Sequence, residues 1–214
     1  MTDIYFYQLP EYADWADYEP FLPYVSKERA ARTARISSVP NRILTLCPEL
    51  LLRRIACERL SLTNNELRFA AAEHGKPFLV GHEGFFFNWS HTRNAFALAV
   101  AKSPVGIDLE PCRPHRNARR LAERFFAEKE TSYVTGEVSD LDDRFCEVWT
   151  RKEAFTKYTG SGMAVDLSAF DAMENPALTS RLTTFRLNDY ILSLCCDSTE
   201  YTLTELKEIA PPPQ

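Results

Sequence analysis

The sequence predicts an α+β protein of two similar halves, each a small antiparallel sheet packed with one long helix, the halves related by a pseudo-two-fold. Three observations predict it. Short runs of strand-like alternation fall into two groups, one ending near Glu110 and one ending near Leu206. A long segment with helical spacing accompanies each group. Short turns separate neighbouring runs, which favours antiparallel pairing. The halves are expected at 1–103 and 104–214, with the junction at Ser103-Pro104.

In the first half, "IYFYQL" (Ile4 to Leu9) reads as the opening strand. A helix follows Ser26 through "KERAARTARI", with a basic face of Lys27, Arg29, Arg32 and Arg35. A second helix is expected to begin at Pro48, because proline suits a first helical turn. It places Leu51, Leu52, Ile55 and Leu60 at helical spacing. "NNELRFAAAEHGKPF" leaves that helix through a short extended piece and reaches a Gly75-Lys76-Pro77 loop. "FFFNWS" (Phe85 to Ser90), "AFALAVA" (Ala95 to Ala101) and, past the junction, "VGIDLE" (Val105 to Glu110) then read as a three-stranded meander. "AFALAVA" alternates large and small side chains.

In the second half, helices are expected in "RNARRLAERFF" and "EKETSYV". A longer one spans Asp140 to Tyr158, with Ser139 as N-cap, Asp142 three residues on, and Gly160 placed to end it. "LSAFDAM", "TTFRL", "YILSLCC" and "YTLTEL" read as the closing strands. "APPPQ" reads as a frayed tail.

The chain has 214 residues, 45% of them hydrophobic and 26% charged, the balance of a soluble globular protein with an adequate core. A net charge of -5 argues against a general nucleic-acid binder. No run of about 18 apolar residues suggests a membrane span, and the first residues do not read as a signal peptide. The six cysteines show no CxxC spacing and lie mostly in apolar runs, which points to reduced thiols and a cytoplasmic location.

Strand alternation puts Val105, Ile107 and Leu109 on one face of "VGIDLE" and Gly106, Asp108 and Glu110 on the other. Alone, two such acids read as a solvated strand face. Together with further ligands, they suit a divalent cation such as Mg²⁺, which takes carboxylate oxygens and substrate phosphates. In the long helix, Trp149, Glu153 and Lys157 form one stripe at four-residue steps. The acid and lysine would make an ordinary surface pair, but the tryptophan asks for burial, so the stripe is expected to face a groove. Ser90 and His91 end a strand with a hydroxyl and an imidazole, groups that can bind phosphate. Lys76 sits on a loop from which it can reach over a ligand. The sequence contains no GxxxxGK[ST], GxGxxG, GxSxG or HExxH motif, which argues against a P-loop ATPase and a serine hydrolase.

Taken in order, "GKPF", "FNWSHT", "VGIDLE", "FFAEKE" and "VWTRKEAFTKYTG" resemble the 4′-phosphopantetheinyl transferase superfamily, in its larger two-half, surfactin-synthetase-activator-like type. The resemblance covers roughly Glu73 to Asp171. It implies a ligand cleft between the halves and a holo-[acyl-carrier-protein] synthase type of activity. In that activity the phosphopantetheine arm of coenzyme A passes to a serine of an acyl or peptidyl carrier protein, with Mg²⁺, releasing adenosine 3′,5′-bisphosphate. By resemblance, Asp108, Glu110 and Glu153 would be the metal ligands. Lys157 would contact the pyrophosphate, and Lys76, Ser90 and His91 would lie at the coenzyme A site. Glu130 or Glu110 would take the serine proton. Arg29, Arg32 and Arg42 are the candidates for the 3′-phosphate, although "PNRILTLCPEL" lacks the family's common arginine-plus-glycine pattern. The resemblance also implies an acidic helical carrier domain as partner, for which "RPHRNARRLAERFF" is the expected docking surface. A monomer is expected, since one chain holds both halves. The alternatives are a non-catalytic coenzyme A- or carrier-binding member of the same fold and another Mg²⁺-dependent phosphoryl-group enzyme.

Overall fold

The alternation of large and small side chains in Ala95–Ala101 builds two cores at once. Phe96, Leu98 and Val100 point one way into a cluster with Leu46, Leu50 and Ile55. Ala95, Ala97, Ala99 and Ala101 point the other way, where Val105, Ile107, Leu109, Leu192 and Leu194 pack against them. Small side chains on one face of a strand let a second sheet lie close against it.

The computed structural model describes residues 1–114, 116–136, 140–162 and 165–213. The strands are β1 (Thr2–Gln8), β2 (Phe69–Ala71), β3 (Pro77–Leu79), β4 (Phe86–Thr92), β5 (Ala95–Ala101), β6 (Val105–Pro111), β7 (Leu182–Leu187), β8 (Tyr190–Cys196) and β9 (Tyr201–Leu206). The helices are α1 (Lys27–Ala34), α2 (Val39–Leu60), α3 (Ala118–Phe125), α4 (Glu128–Thr135), α5 (Leu141–Thr159) and the one-turn α6 (Pro176–Thr179). One sheet runs β4-β5-β1-β9, another β6-β8-β7, and β2-β3 form a small hairpin. The architecture is α+β, as expected. The long helix α2 packs on the outer face of the first sheet, and α5 on the outer face of the second. Among the described residues no helix is long and apolar enough to cross a membrane.

Several elements depart from the sequence expectations. α2 begins at Val39, nine residues before Pro48, and uses Pro40 in its first turn. Pro48 lies inside the helix, where it removes one hydrogen bond at a cost of about 3 kcal/mol. The helix persists because it is buried almost continuously from Ile43 to Cys57, each buried Leu or Ile contributing roughly 1.5–3 kcal/mol. The third strand of the expected meander, β6, crosses to the other sheet and pairs with β8. It stays tied to β4, since Ile107 N donates to Asn88 Oδ1 at 2.9 Å and Ser90 Oγ to Asp108 Oδ1 at 2.8 Å.

"LSAFDAM" is not a strand. Leu167–Ala169 is a 3-10 turn started by the Asp166 carboxylate, which accepts from Ser168 N, and Asp171 accepts from Met173 N and Glu174 N. Such local side-chain bonds draw a chain away from a sheet. β9 pairs in parallel with β1, at the edge of the first sheet. The tail after it is anchored rather than frayed: Ile209 enters the core under α2, and Pro212 is buried. The expected N-cap Ser139 lies outside the described residues, and Asp140 occupies the cap position of α5 without a side-chain capping bond. Gly160 ends α5 as expected, in the left-handed conformation that glycine adopts readily.

Candidate active site

Gly106 lets α5 reach β6. A Cβ at that position would lie 2.0 Å from the carbonyl oxygen of Ala154 and 2.3 Å from Tyr158 N. With the helix so close, the Gly106, Asp108 and Glu110 face of β6 and one stripe of α5 share a single site. Lys157 Nζ stands 2.6 Å from Asp108 Oδ1. Ser90 of β4 donates its hydroxyl to the same Asp108 oxygen at 2.8 Å and accepts from Lys157 Nζ at 3.1 Å. A strand from each of the two large sheets, β4 and β6, and the helix α5 therefore converge on one carboxylate. Asp108 is 4% exposed, and its Oδ2 is buried without a hydrogen-bond partner among the described residues.

Glu110 and Glu153 flank this centre. Burial, then the charge of Asp108, push Glu110 up to about 7, with Lys157 opposing and Glu153 adding to the rise. Burial and Asp108 also raise Glu153, against the pull of Lys157. Glu110 thus feels the charge of both Asp108 and Glu153, the two acids that the resemblance implies as its fellow metal ligands. Among the described residues, however, no three His, Cys, Asp or Glu side chains stand close enough together to hold a metal ion as placed.

The cationic residues divide into two groups. His91 is exposed at the end of β4, and partial desolvation, followed by the charges of Lys157, Arg32 and Arg29, holds its imidazole below the usual range. Arg29 is anchored, its Nε 2.9 Å from Glu49 Oε2 and its guanidinium over the Trp89 ring. Arg32 is exposed, and its guanidinium has no ion-pair or hydrogen-bond partner among the described residues.

Three expected site residues have their polar atoms engaged by other parts of the protein. Arg42 gives Nε and a terminal nitrogen to the Ile36 carbonyl, at 2.9 and 2.7 Å, and lies over Trp15, so it closes the turn between α1 and α2. Lys76 lies at the site, but its ammonium is bound to three carbonyls, those of Val105, Lys157 and Tyr158, at 3.0, 2.5 and 3.1 Å. It therefore caps the C-terminus of α5, where helix carbonyls lack partners. Glu130 is not with the other acids. Its side chain is fully buried and paired at 2.6 Å with Lys152, which is equally buried.

A cavity of about 680 Å³ opens beside the acid–lysine centre. Its walls come from the His74–Pro77 loop, the Trp149, Glu153 and Lys157 stripe, and Val165–Leu167, with Phe125 at one side. The stripe does face a groove. Trp149 packs on Phe125, Phe126 and Phe145 and also borders a second cavity, of about 220 Å³, which contains Glu110, Arg113 and Leu121. Sequence reasoning passed over Asn88, whose side chain joins the two sheets. Asparagine disfavours strands, so its place inside "FFNWSHT" was a usable signal.

Comparisons with known proteins agree with this geometry. A family model described as the 4′-phosphopantetheinyl transferase superfamily matches residues 104–204, and one described as 4′-phosphopantetheinyl transferase, N-terminal, matches residues 10–103. The chain is 35% identical over 155 residues to the 4′-phosphopantetheinyl transferase psf-1 of Bacillus pumilus, which covers 72% of this chain and 66% of that relative. It is 30% identical over 180 residues to the 4′-phosphopantetheinyl transferase gsp of Aneurinibacillus migulanus, covering 84% of this chain and 74% of the relative. With the 4′-phosphopantetheinyl transferase Sfp of Bacillus subtilis it shares 29% identity over 153 residues, 71% of this chain and 67% of Sfp. The chain thus spans about two thirds of the length of psf-1 and Sfp.

Proposed function

The chain belongs to the 4′-phosphopantetheinyl transferase superfamily, and from that membership we propose that it transfers the 4′-phosphopantetheine arm of coenzyme A to a serine of an acyl or peptidyl carrier protein. In this reaction the serine oxygen forms a new phosphoester bond as the pyrophosphate bond of coenzyme A breaks, and adenosine 3′,5′-bisphosphate leaves. The observation that carries the proposal is the meeting of Asp108, Lys157 and Ser90 beside a cavity of about 680 Å³. That volume suits a small-molecule substrate.

The acids fit a hard divalent cation such as Mg²⁺. All three offer oxygen donors, Asp108 has a buried oxygen with no partner among the described residues, and burial, with the charge of Asp108 adding to it, lifts Glu110 and Glu153. Asp108, Glu110 and Glu153 would hold the ion. When bound, such an ion neutralises charge on phosphoryl oxygens.

The chain's own residues supply the rest. Lys157 presents an ammonium at the floor of the cavity, where the pyrophosphate needs positive charge. Ser90, His91 and Arg32, backed by Arg29, form a cationic and hydrogen-bonding edge for the remaining phosphate of coenzyme A. Lys76 contributes by fixing the end of α5 and so the position of Lys157. The acceptor serine comes from the carrier, so the chain needs no nucleophile of its own. Glu110, directly or through water, takes the serine proton. The basic helix α3, with Arg119, Arg120 and Arg124, is the docking surface for an acidic carrier. The six free cysteines favour a reducing, cytoplasmic setting. Both sides of the site come from one chain, which favours a monomer.

Incubation with coenzyme A, Mg²⁺ and an apo carrier protein tests the proposal. The carrier should gain the mass of one phosphopantetheine arm. No gain across several carriers, from a folded enzyme that binds coenzyme A, would point to a non-catalytic member. Cleavage of coenzyme A without an acceptor would point to a hydrolytic phosphoryl enzyme instead.

A further inference from the structure

We infer that Glu130 and Lys152 form a buried latch that sets the wall of the large cavity, and that both are positioning residues rather than carriers of the reaction's proton. The inference rests on the proposed function only for the identity of the cavity's ligand.

Neither side chain is exposed at all. Glu130 Oε2 accepts from Ala127 N at 2.9 Å and from Lys152 Nζ at 2.6 Å, and Oε1 accepts from Ala172 N at 2.7 Å. Lys152 Nζ also donates to the carbonyls of Leu167, at 2.7 Å, and Phe170, and lies 4.3 Å from the Phe170 ring centroid. One ion pair therefore joins the start of α4, the middle of α5 and the 167–172 segment.

A general base must come within hydrogen-bond reach of the proton it takes. Glu130 cannot, because both oxygens are filled and Lys152 and backbone amides enclose it. Lys152 directly precedes Glu153. Adjacent helical side chains diverge by about 100°, so Glu153 lines the cavity while Lys152 points toward the segment behind it. Leu167 is common to both arrangements: its carbonyl is held by Lys152, and the residue lines the cavity with Asp166. The position of the lysine ammonium thus fixes how far the Asp166–Leu167 wall stands from Glu153 and Lys157. Loss of either partner would strand a buried charge, so the wall and the α4–α5 contact would shift together.

The test uses Lys152→Arg and Glu130→Gln in the full chain, with circular dichroism to confirm folding. Amide exchange across 167–172 should speed up in both variants, a readout independent of any reaction. In transfer assays KM for coenzyme A should rise about tenfold while kcat stays within about threefold, the pattern of lost positioning. Glu130→Gln should keep the acidic limb of the wild-type pH profile. A kcat loss near a thousandfold with KM unchanged and that limb abolished would overturn the inference. So would unchanged exchange across 167–172 in a folded variant. If Glu130→Gln fails to fold, Lys152→Arg alone decides. If the wild type shows no transfer, the proposed function fails by itself, and the exchange measurement still settles the latch.

Discussion

Lys157 of α5 and Asp108 of β6 lie 49 positions apart in sequence and meet with 2.6 Å between ammonium and carboxylate. The contact joins the two motifs that the sequence singled out. It makes Asp108 the residue on which the whole site depends. Asp108→Asn should lower transfer by about a thousandfold, because the charge that orders Lys157 and Ser90 is lost. The buried oxygen of Asp108 has no partner among the described residues, so the substitution should shift Tm little. Mass-spectrometric transfer assays and thermal unfolding of the same sample check both halves of the statement, and near-wild-type transfer would refute it.

Gly106→Ala should break the fold at the site itself. The added methyl would meet the Ala154 carbonyl at 2.0 Å and Tyr158 N at 2.3 Å, both backbone atoms that cannot swing aside. α5 must move off β6, at a cost of about 1–3 kcal/mol. Urea unfolding measures this. A change under about 0.5 kcal/mol, the range of neutral surface substitutions, would show that the helix yields more easily than its packing implies.

Arg32 and Arg42 should separate cleanly. Arg32→Ala should weaken coenzyme A binding about tenfold, one decade for one lost phosphate contact, and leave stability unchanged. Arg42→Ala should leave affinity alone and lower stability by about 1 kcal/mol, since its hydrogen bonds go to the Ile36 carbonyl. Calorimetric titration and denaturant melts report the two effects separately, and a reversed pattern would return Arg42 to the phosphate site.

The pH dependence of folding should carry a signature of Glu49. This carboxylate accepts from Ser26 N at 2.7 Å and pairs with Arg53 and Arg29 at 2.8 and 2.9 Å. Burial alone would raise its pKa, but the Ser26 amide and the two arginines outweigh burial and hold it below the usual carboxylate range. Its stabilising effect is therefore complete above the unfolded-state value of about 4.3 and fades as pH falls through the lower folded value. Glu49→Gln should be less stable than wild type at pH 7, and the gap should narrow below about pH 4. A gap that stays constant down to pH 2 would contradict this account.

The elements that carry the site were legible in the sequence because they follow from local periodicity, and that their residues form one site was implied by the resemblance. A period of two placed Asp108 opposite Ile107 in facing direction. A four-residue step aligned Trp149, Glu153 and Lys157, and Gly160 marked the end of their helix. Alternation of large and small side chains in Ala95–Ala101 announced a strand, which the structure buries on both faces.

Tertiary structure decided what local pattern cannot carry. Alternation in "YTLTEL" makes a strand but does not name its neighbour, and β9 found β1 at the far end of the chain. A basic residue near a phosphate motif looks the same whether its nitrogens meet solvent, as in Arg32, or a carbonyl, as in Arg42 and Lys76. Glu130 resembles an active-site acid in sequence, yet Lys152 and two backbone amides enclose it. Such assignments depend on where partners lie in space, because a buried charge stays where it is fully paired, and pairing across long sequence separations is fixed only when the sheets and helices close around it.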